Sequence, residues 1–284
     1  MYPPVATNDF AAVESEAKSA SLAMFPDCDP LFISRAFGWT IDAFRGSYAD
    51  YQAIDAKYHD LEHTMQGTLC MVRLLLGRHR VDARPQLTQH FFRLGILAIL
   101  LHDTGYLKKR DDKEGTGAKY TATHVDRSAE FAARLLAENG YAKEDIQAVR
   151  NMIHCTGVDA VLNAIPFQSD MERLVGHALG TADLLGQMAA EDYVDKLPVL
   201  YSEFAEASHH DPGRTSFVGS FSSADDLMRK TAGFWKKYVR PKLDRDFGGL
   251  HRFLNDPFPH GPNYYFSRIE ANMELLKQRL GIAA

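Results

Sequence analysis

The chain has 284 residues, of which 45% are hydrophobic and 24% charged, proportions typical of globular proteins that exclude a disordered chain. This length allows one large domain or two small ones, with enough residues for a sizeable core. The 32 basic residues are outnumbered by 37 acidic ones, giving a net charge of −5, which argues against general nucleic-acid binding because such binding needs a basic face.

Helical periodicity runs through almost the whole chain, and no segment shows the period-two alternation of a half-buried strand. The first helix is predicted over 10–24, with Asn8 or Asp9 as its cap. Further helices are predicted in chain order over 30–46, 57–79, 87–102, 124–139, 143–155, 170–190, 192–208, 224–239 and 264–280. Polar or turn-rich connections are predicted over 108–119, 209–223 and 244–263. This pattern predicts an all-α fold.

The sequence favours a cytoplasmic protein without a membrane anchor. Its longest purely apolar run, Ile96 to Leu101, is far shorter than the roughly 20 residues that a membrane-spanning helix needs. The first ten residues contain no basic region leading into an apolar stretch, so we expect no secretory signal. The odd number of cysteines and the absence of a CxxC motif argue against a disulfide framework and for a reducing compartment.

Two histidines four residues apart form the first candidate site. Four residues of an α-helix rotate by about 400° and rise by about 6 Å, so His59 and His63 would share one face of a helix over 57–79. Such a pair can bind one metal ion, or one histidine can bind the metal while the other faces the substrate. The pair alone does not establish a site.

Three further candidate residues, one histidine and two aspartates, lie in or next to strongly apolar helical segments. His102 and Asp103 lie at the end of the apolar helix predicted over 87–102, and Asp183 lies within an apolar helical segment. A buried carboxylate needs a cation or strong hydrogen-bond donors, although a solvated helix end or one polar residue facing water would also explain these positions. With His63, these residues supply two imidazoles and two carboxylates, a set that suits a divalent ion with open water positions.

The ordered set of one histidine, a His-Asp pair and a distant aspartate resembles the HD-domain superfamily of metal-dependent phosphohydrolases. The segment Tyr58-His59-x-x-x-His63 looks like the matching motif of cyclic-nucleotide phosphodiesterases and related bacterial HD proteins, and Leu101-His102-Asp103-Thr104-Gly105-Tyr106 looks like the bacterial signature. The resemblance covers about residues 55–190. It implies a helical bundle with that core, extra N-terminal helices and an extension over 191–284, within a single domain spanning 1–284.

The resemblance also implies roles for individual residues. His63, His102, Asp103 and Asp183 would bind a first metal ion, and Asp103 would bridge to a second ion. His59 corresponds to the general acid that protonates the leaving oxygen. That role is physically reasonable, because an imidazole that titrates near neutral pH can donate a proton to a developing alkoxide.

Two later histidines bear on a second ion. Two-metal HD proteins, including the HD-GYP group, have additional histidines in the interval occupied here by His124 and His154. The match is partial, because Cys155 follows His154 where the HD-GYP group has paired histidines, and the GYP signature is missing. His124 could instead start a helix, and His154 could be a packed residue at a helix end. One or two divalent ions are expected, among Mg, Mn, Fe, Zn and Ni.

The expected chemistry is hydrolysis of a small-molecule phosphate ester, such as a nucleotide or cyclic nucleotide, by metal-activated water. Lys108 and Arg127 are candidates for contacting the phosphoryl oxygens, although a solvated loop explains basic residues there as well. Two alternatives stay open: a di-iron oxygenase on the same scaffold, and a non-catalytic module that senses a nucleotide or metal. The sequence is compatible with an oligomer.

Overall fold

A computed structural model describes residues 4–214 and 218–282. Within these ranges the chain forms ten α-helices and no β-strand, which confirms the predicted all-α class. No helix in the described ranges combines the length and apolar character needed to cross a bilayer. The helices are α1 (Phe10–Met24), α2 (Phe32–Phe44), α3 (Leu61–Arg80), α4 (Gln89–Leu101), α5 (His124–Glu138), α6 (Lys143–Ile153), α7 (Asp170–Met188), α8 (Tyr193–His210), α9 (Ala224–Phe234) and α10 (Tyr264–Arg279).

Local capping explains where several helices begin and end. The Asp9 carboxylate accepts a hydrogen bond from the Ala12 N–H at 3.2 Å and caps α1. Gly140 follows α5 with φ +76°, a left-handed conformation that glycine adopts without steric cost. The helix predicted over 224–239 changes from α to π geometry after Phe234, ahead of Pro241, which has no backbone N–H to donate. The loop predicted over 244–263 contains a 3₁₀ turn over Leu250–Leu254.

The start of α3 differs from the prediction. Asp60 has an extended backbone, and its carboxylate accepts a hydrogen bond from the His63 N–H at 2.9 Å, so Asp60 caps a helix that begins only at Leu61. The prediction that His59 and His63 share one helix face is therefore wrong, because His59 lies in the turn that precedes the helix. The turn nevertheless keeps the two imidazoles together, with ring centroids 5.3 Å apart.

Helices α3 and α7 cross closely at the centre of the molecule, and glycines permit the approach. A Cβ atom added to Gly186 would lie 2.7 Å from the backbone of Gln66, and one added to Gly67 would lie 3.8 Å from the Cα of Asp183. Asp183 and Gly186 are three residues apart on one face of α7, as His63 and Gly67 are four apart on α3. The close crossing therefore sets Asp183 beside His63.

A second glycine contact joins the end of α4 to the start of α5. Helix α4 is buried along most of its length, and a short 3₁₀ turn over Thr104–Tyr106 follows His102 and Asp103. A Cβ atom added to Gly105 in this turn would lie 2.0 Å from the carbonyl oxygen of His124. Only glycine permits this approach, which places the first residue of α5 near Asp103.

The segment after residue 190 packs onto the central helices. The Asn272 amide on α10 donates hydrogen bonds to the carbonyl oxygens of Met188 and Ala190 at 2.9 and 2.8 Å, which fixes α10 against the end of α7. Helix α8 packs against the turn that precedes α3, where the Glu203 carboxylate accepts a hydrogen bond from the Tyr58 N–H at 2.7 Å. The C-terminal third of the chain therefore forms part of the wall around the predicted site.

Candidate metal centre

Four side chains that are far apart in the sequence converge at the centre of the bundle. His63 Nε2 lies 3.1 Å from Asp103 Oδ2 and 3.5 Å from Asp183 Oδ1. His102 Nε2 lies 3.4 and 3.5 Å from the same two oxygens. All four residues are buried. Two nitrogen donors and two oxygen donors therefore face one small volume.

The side chains present fit a divalent ion. Within the described ranges, His102 Nε2 and Asp103 Oδ2 are buried and have no hydrogen-bond partner. His102 Nδ1 lies 2.7 Å from the Ile99 carbonyl oxygen, which can only accept, so Nδ1 carries a proton and Nε2 is the nitrogen whose lone pair a cation between the carboxylates would bind. Mixed imidazole and carboxylate ligands suit Zn, Mn, Fe or Ni, and a bound cation would offset two buried negative charges.

The histidines and carboxylates of this cluster shift one another's pKa values. Burial disfavours a protonated His63, but the Asp103 and Asp183 carboxylates outweigh burial and raise the pKa of His63 to about 10. The same balance raises the pKa of His102. Burial alone would raise the pKa of Asp183, yet the two histidines lower it to about 2, and they hold the pKa of Asp103 well below its usual range. Opposite charges on the histidines and carboxylates therefore stabilise each other in this buried cluster.

Binding of Zn²⁺ or Mn²⁺ should release protons from this cluster. Because the pKa of His63 is about 10, its imidazole carries a proton at pH 7 that a metal ion must replace. Raising the pH from 7 toward 10 removes this competing proton, so apparent affinity should increase by up to roughly tenfold per pH unit for each proton released. Calorimetric titration in two buffers with different heats of ionisation measures the number of protons.

Two histidine-to-glutamine variants, one in the cluster and one outside it, serve as test and control in this titration. His63→Gln should bind the ion more weakly and release fewer protons, whereas His90→Gln, at an exposed position on α4, should match the unsubstituted protein. Stoichiometric binding without proton release at pH 7, or unchanged binding by the His63 variant, would contradict the assignment.

A histidine and a glutamate adjoin the cluster. His59 Nδ1 lies 2.6 Å from Glu203 Oε2, while Glu203 Oε1 accepts the Tyr58 N–H. The carboxylate can only accept, so Nδ1 is the protonated nitrogen and Nε2 is the atom left for chemistry. Burial would raise the pKa of Glu203, but the contact with His59 contributes most to lowering it, and the carboxylate remains ionised.

Tyr106 contacts two of the histidines, whose own ring centroids lie 6.1 Å apart. Its ring stacks on His59 with centroids 4.3 Å apart and on His124 with centroids 4.8 Å apart. Tyr106 is fully buried, and burial raises the pKa of its phenol well above the usual value. The stack fixes the planes of both imidazoles relative to each other.

The two candidate ligands for a second ion, His124 and His154, differ in their contacts. His124 Nε2 lies 3.9 Å from Asp103 Oδ1, and its Nδ1 lies 2.6 Å from the Thr121 carbonyl oxygen, so the ring is oriented toward the cluster. Burial lowers the pKa of His124, which favours the neutral, metal-binding form. His154 Nε2 instead lies 3.1 Å from Asp126 Oδ1, at a more exposed position. Both histidines line the same cavity.

The cavity has a volume of about 400 Å³. Its charged floor consists of the buried residues His63, Asp103 and Asp183 and of the neighbouring His59. Helices α7, α8 and α9 contribute an outer wall that is largely hydrocarbon, including Leu184, Leu197, Leu200, Phe204, Leu227 and Phe234. The site therefore has a charged floor and an apolar side.

The chain matches one protein-family model. The Npun_R2479-like family model matches residues 110–253, just over half of the chain. The chain belongs to the Npun_R2479-like family. The Npun_R2479-like match includes α5 to α9, and with them His124, His154, Asp183 and Glu203, whereas His59, His63, His102 and Asp103 precede it. No curated protein matches the chain.

Two basic residues predicted to contact substrate do not line the cavity. Lys108 Nζ donates to Asp55 Oδ2 at 3.1 Å and to the Gly115 carbonyl oxygen at 2.5 Å. Arg127, in the part of the chain matched by the Npun_R2479-like model, donates to the carbonyl oxygens of Gly105 and Leu107 at 2.7 and 2.8 Å. Both side chains therefore brace the loop that follows Asp103, because each donates two hydrogen bonds within the protein.

Sequence reasoning missed two groups that the structure brings to the site, namely Glu203 and Tyr106. Glu203 could have been found as an acidic residue on the apolar face of its helix, since Leu200 precedes it by three positions and Ala207 follows by four. Tyr106 carried no such signal, because its stacking partners His59 and His124 are distant in the sequence.

Proposed function

We propose that this chain is a metal-dependent phosphohydrolase of the HD-domain type. The observation that supports the proposal is the meeting of His63, His102, Asp103 and Asp183, in the order given by the HD resemblance, at a point where His63, Asp103 and Asp183 line a cavity. The His59–Glu203 pair at the edge of that floor supplies a group able to transfer a proton.

The four converging residues would hold a first divalent ion. When bound, such an ion would supply positive charge for phosphoryl oxygens and lower the pKa of a water molecule. Asp103 presents Oδ2 to His63 and Oδ1 to His124, so one carboxylate faces nitrogen donors on both sides. This arrangement favours His124 as the first ligand for a second ion. His154 could join it only by giving up its contact with Asp126.

His59 would act as the general acid. Glu203 accepts a hydrogen bond from Nδ1–H and fixes the orientation of the ring, so Nε2 would be the nitrogen that donates a proton to the leaving oxygen as the phosphorus–oxygen bond breaks. Stacking on Tyr106 holds the ring plane during the transfer.

Purified protein should hydrolyse a phosphate ester when supplied with the correct ion. The experiment removes metal with a chelator, resupplies Mg²⁺, Mn²⁺, Fe²⁺, Zn²⁺ or Ni²⁺ under anaerobic conditions, and assays phosphate monoesters, diesters and cyclic nucleotides. We expect at least a roughly hundredfold gain over the metal-free protein, because a bound ion contributes several kcal/mol to transition-state stabilisation.

Two results would contradict the proposal. Consumption of dioxygen by the iron-loaded protein, with an oxidised product, would indicate an oxygenase on this scaffold. Stoichiometric metal and nucleotide binding without turnover of any ester would indicate a sensing module.

A further inference from the structure

The outer wall of the cavity offers a hydrocarbon surface to whatever is bonded to the phosphate. Leu184 on α7, Leu197, Leu200 and Phe204 on α8, and Leu227 and Phe234 on α9 contribute this surface. It adjoins the floor that contains the proposed metal ligands. A bound ester would therefore place its phosphoryl group among charged residues and its alcohol portion among aliphatic and aromatic side chains.

Three polar side chains of this wall, Gln187, Thr231 and Lys230, donate hydrogen bonds to groups within the protein. The Gln187 amide donates to the Asp183 backbone carbonyl at 3.2 Å, while its oxygen accepts the Tyr58 hydroxyl at 3.0 Å. The Thr231 hydroxyl donates to the Leu227 carbonyl at 2.8 Å. Lys230 Nζ, the cation of this wall, donates to Asp226 and to a backbone carbonyl. Ribose hydroxyls and base edges would lose hydrogen bonds to water without gaining these donors.

The charge of the cavity also opposes a substrate with several phosphates. Asp126 and Asp159 line the cavity in addition to the carboxylates of the metal cluster. One or two divalent ions would neutralise the cluster, but the two additional carboxylates would still repel a chain of phosphates. The cavity therefore favours a single phosphoryl group attached to an uncharged group.

We infer that the substrate is a phosphate ester whose alcohol portion is a hydrocarbon, packed against the wall formed by α7, α8 and α9. This inference rests on the proposed phosphohydrolase function and narrows its substrate class. Burial of each methylene removes apolar surface from water, which corresponds to about threefold to fourfold in binding. The nucleotide expected from the HD resemblance would gain less from the same wall.

The experiment compares ethyl, butyl and hexyl esters within whichever class, monoester or diester, shows metal-dependent turnover. We expect kcat/KM to increase by on the order of a hundredfold from ethyl to hexyl, given four additional methylenes. Hexyl phosphate should also be hydrolysed faster than adenosine monophosphate if monoesters are the active class. Binding of ethyl, butyl and hexyl phosphonate to the metal-loaded protein, measured calorimetrically, gives the same ordering without turnover.

Two leucine variants, one in the cavity wall and one outside it, provide the test and its matched control. Leu200→Gln should flatten the dependence on chain length in both turnover and phosphonate binding, whereas Leu22→Gln, at an exposed position on α1, should leave it unchanged. Turnover with no dependence on chain length, or a preference for the nucleotide, would overturn the inference and leave the phosphohydrolase proposal intact. If no ester is turned over, the phosphonate series alone decides: equal affinities would overturn the inference.

Discussion

Replacing Asp103 with alanine should abolish hydrolysis and remove most of the metal-binding capacity of the protein. Asp103 Oδ2 lies within 3.4 Å of both His63 Nε2 and His102 Nε2, and its Oδ1 faces His124, so the substitution removes the carboxylate shared by every candidate ligand set. A bound ion contributes several kcal/mol to transition-state stabilisation, and each 1.4 kcal/mol is tenfold in rate. We therefore expect a loss of at least about a thousandfold in kcat/KM.

The fold should survive this substitution. Asp103 is a buried carboxylate whose removal leaves His63 and His102 free to become neutral, since the charge that raises their pKa values is reduced. The helices that carry these residues remain held by the crossing of α3 and α7 at Gly186. Circular dichroism and thermal unfolding should show a helical protein with a cooperative transition.

Metal content by mass spectrometry and phosphate release are the two measurements on this variant. Asp111→Ala removes a carboxylate from an exposed turn outside the cavity and serves as the control, with both quantities unchanged. If the Asp103 variant retained full activity, the metal-assisted mechanism would be wrong. If it bound metal normally and lost only turnover, Asp103 would have a role other than that of a ligand.

The all-α fold could be predicted from the sequence because the sequence signals of a helix are local. Apolar positions recur with helical spacing, and capping residues such as Asp9 and Gly140 act through their own backbone and immediate neighbours. No cap was predicted at Asp60, because the residues on both sides of it read as helical. A single hydrogen bond to the His63 N–H decided the boundary, and this boundary moved His59 off the helix.

The candidate metal centre was accessible for a different reason. A histidine or aspartate within an apolar helical stretch has few satisfying environments, so His63, His102 and Asp183 were each unusual before their positions in space were known. Lys108 and Arg127 carried no such constraint, because a basic residue in a loop can pair with any nearby carbonyl or carboxylate. Their partners, Asp55 and the Gly105 carbonyl among them, depend on how the loop folds back.

The contribution of α8 to the candidate site was the feature hardest to predict from the sequence. Glu203 lies 144 positions after His59, and nothing in the spacing of the two residues connects them. Their pairing depends on the packing of α8 against the turn before α3, a long-range contact without a sequence motif. The apolar cavity wall has the same origin, since Leu200 and Phe204 accompany Glu203 on this helix.

His59→Gln should lower kcat by about a hundredfold to ten-thousandfold while metal content stays near that of the unsubstituted protein. Glutamine has no group that titrates, so the variant loses the general acid, whose contribution is typically of this size. The four converging ligand atoms do not include His59, and its Nδ1 faces Glu203 instead of the carboxylates of the cluster. Equal losses of metal content and turnover would make His59 a ligand.

Glu203→Gln should lower kcat by a smaller amount, about tenfold to a hundredfold. The carboxylate accepts two hydrogen bonds, from the Tyr58 N–H and from His59 Nδ1, whereas a glutamine has one oxygen and one amide group in their place. One donor must lose its acceptor, and a hydrogen bond to a charged group contributes about 1.5–3 kcal/mol. Glu206→Gln is the matched control, because Glu206 lies on the same helix and binds Thr116 outside the cavity.

A variant with both His59→Gln and Glu203→Gln tests whether Glu203 acts by positioning His59 or contributes independently of it. If Glu203 acts through His59, the His59→Gln/Glu203→Gln protein should be no slower than His59→Gln alone, because the second substitution removes support from a group that is already missing. Additive losses would mean that Glu203 contributes by another route, such as holding the turn that carries Tyr58. Metal content measured on all three proteins distinguishes these outcomes from a collapse of the metal centre, which would lower turnover and bound ion together.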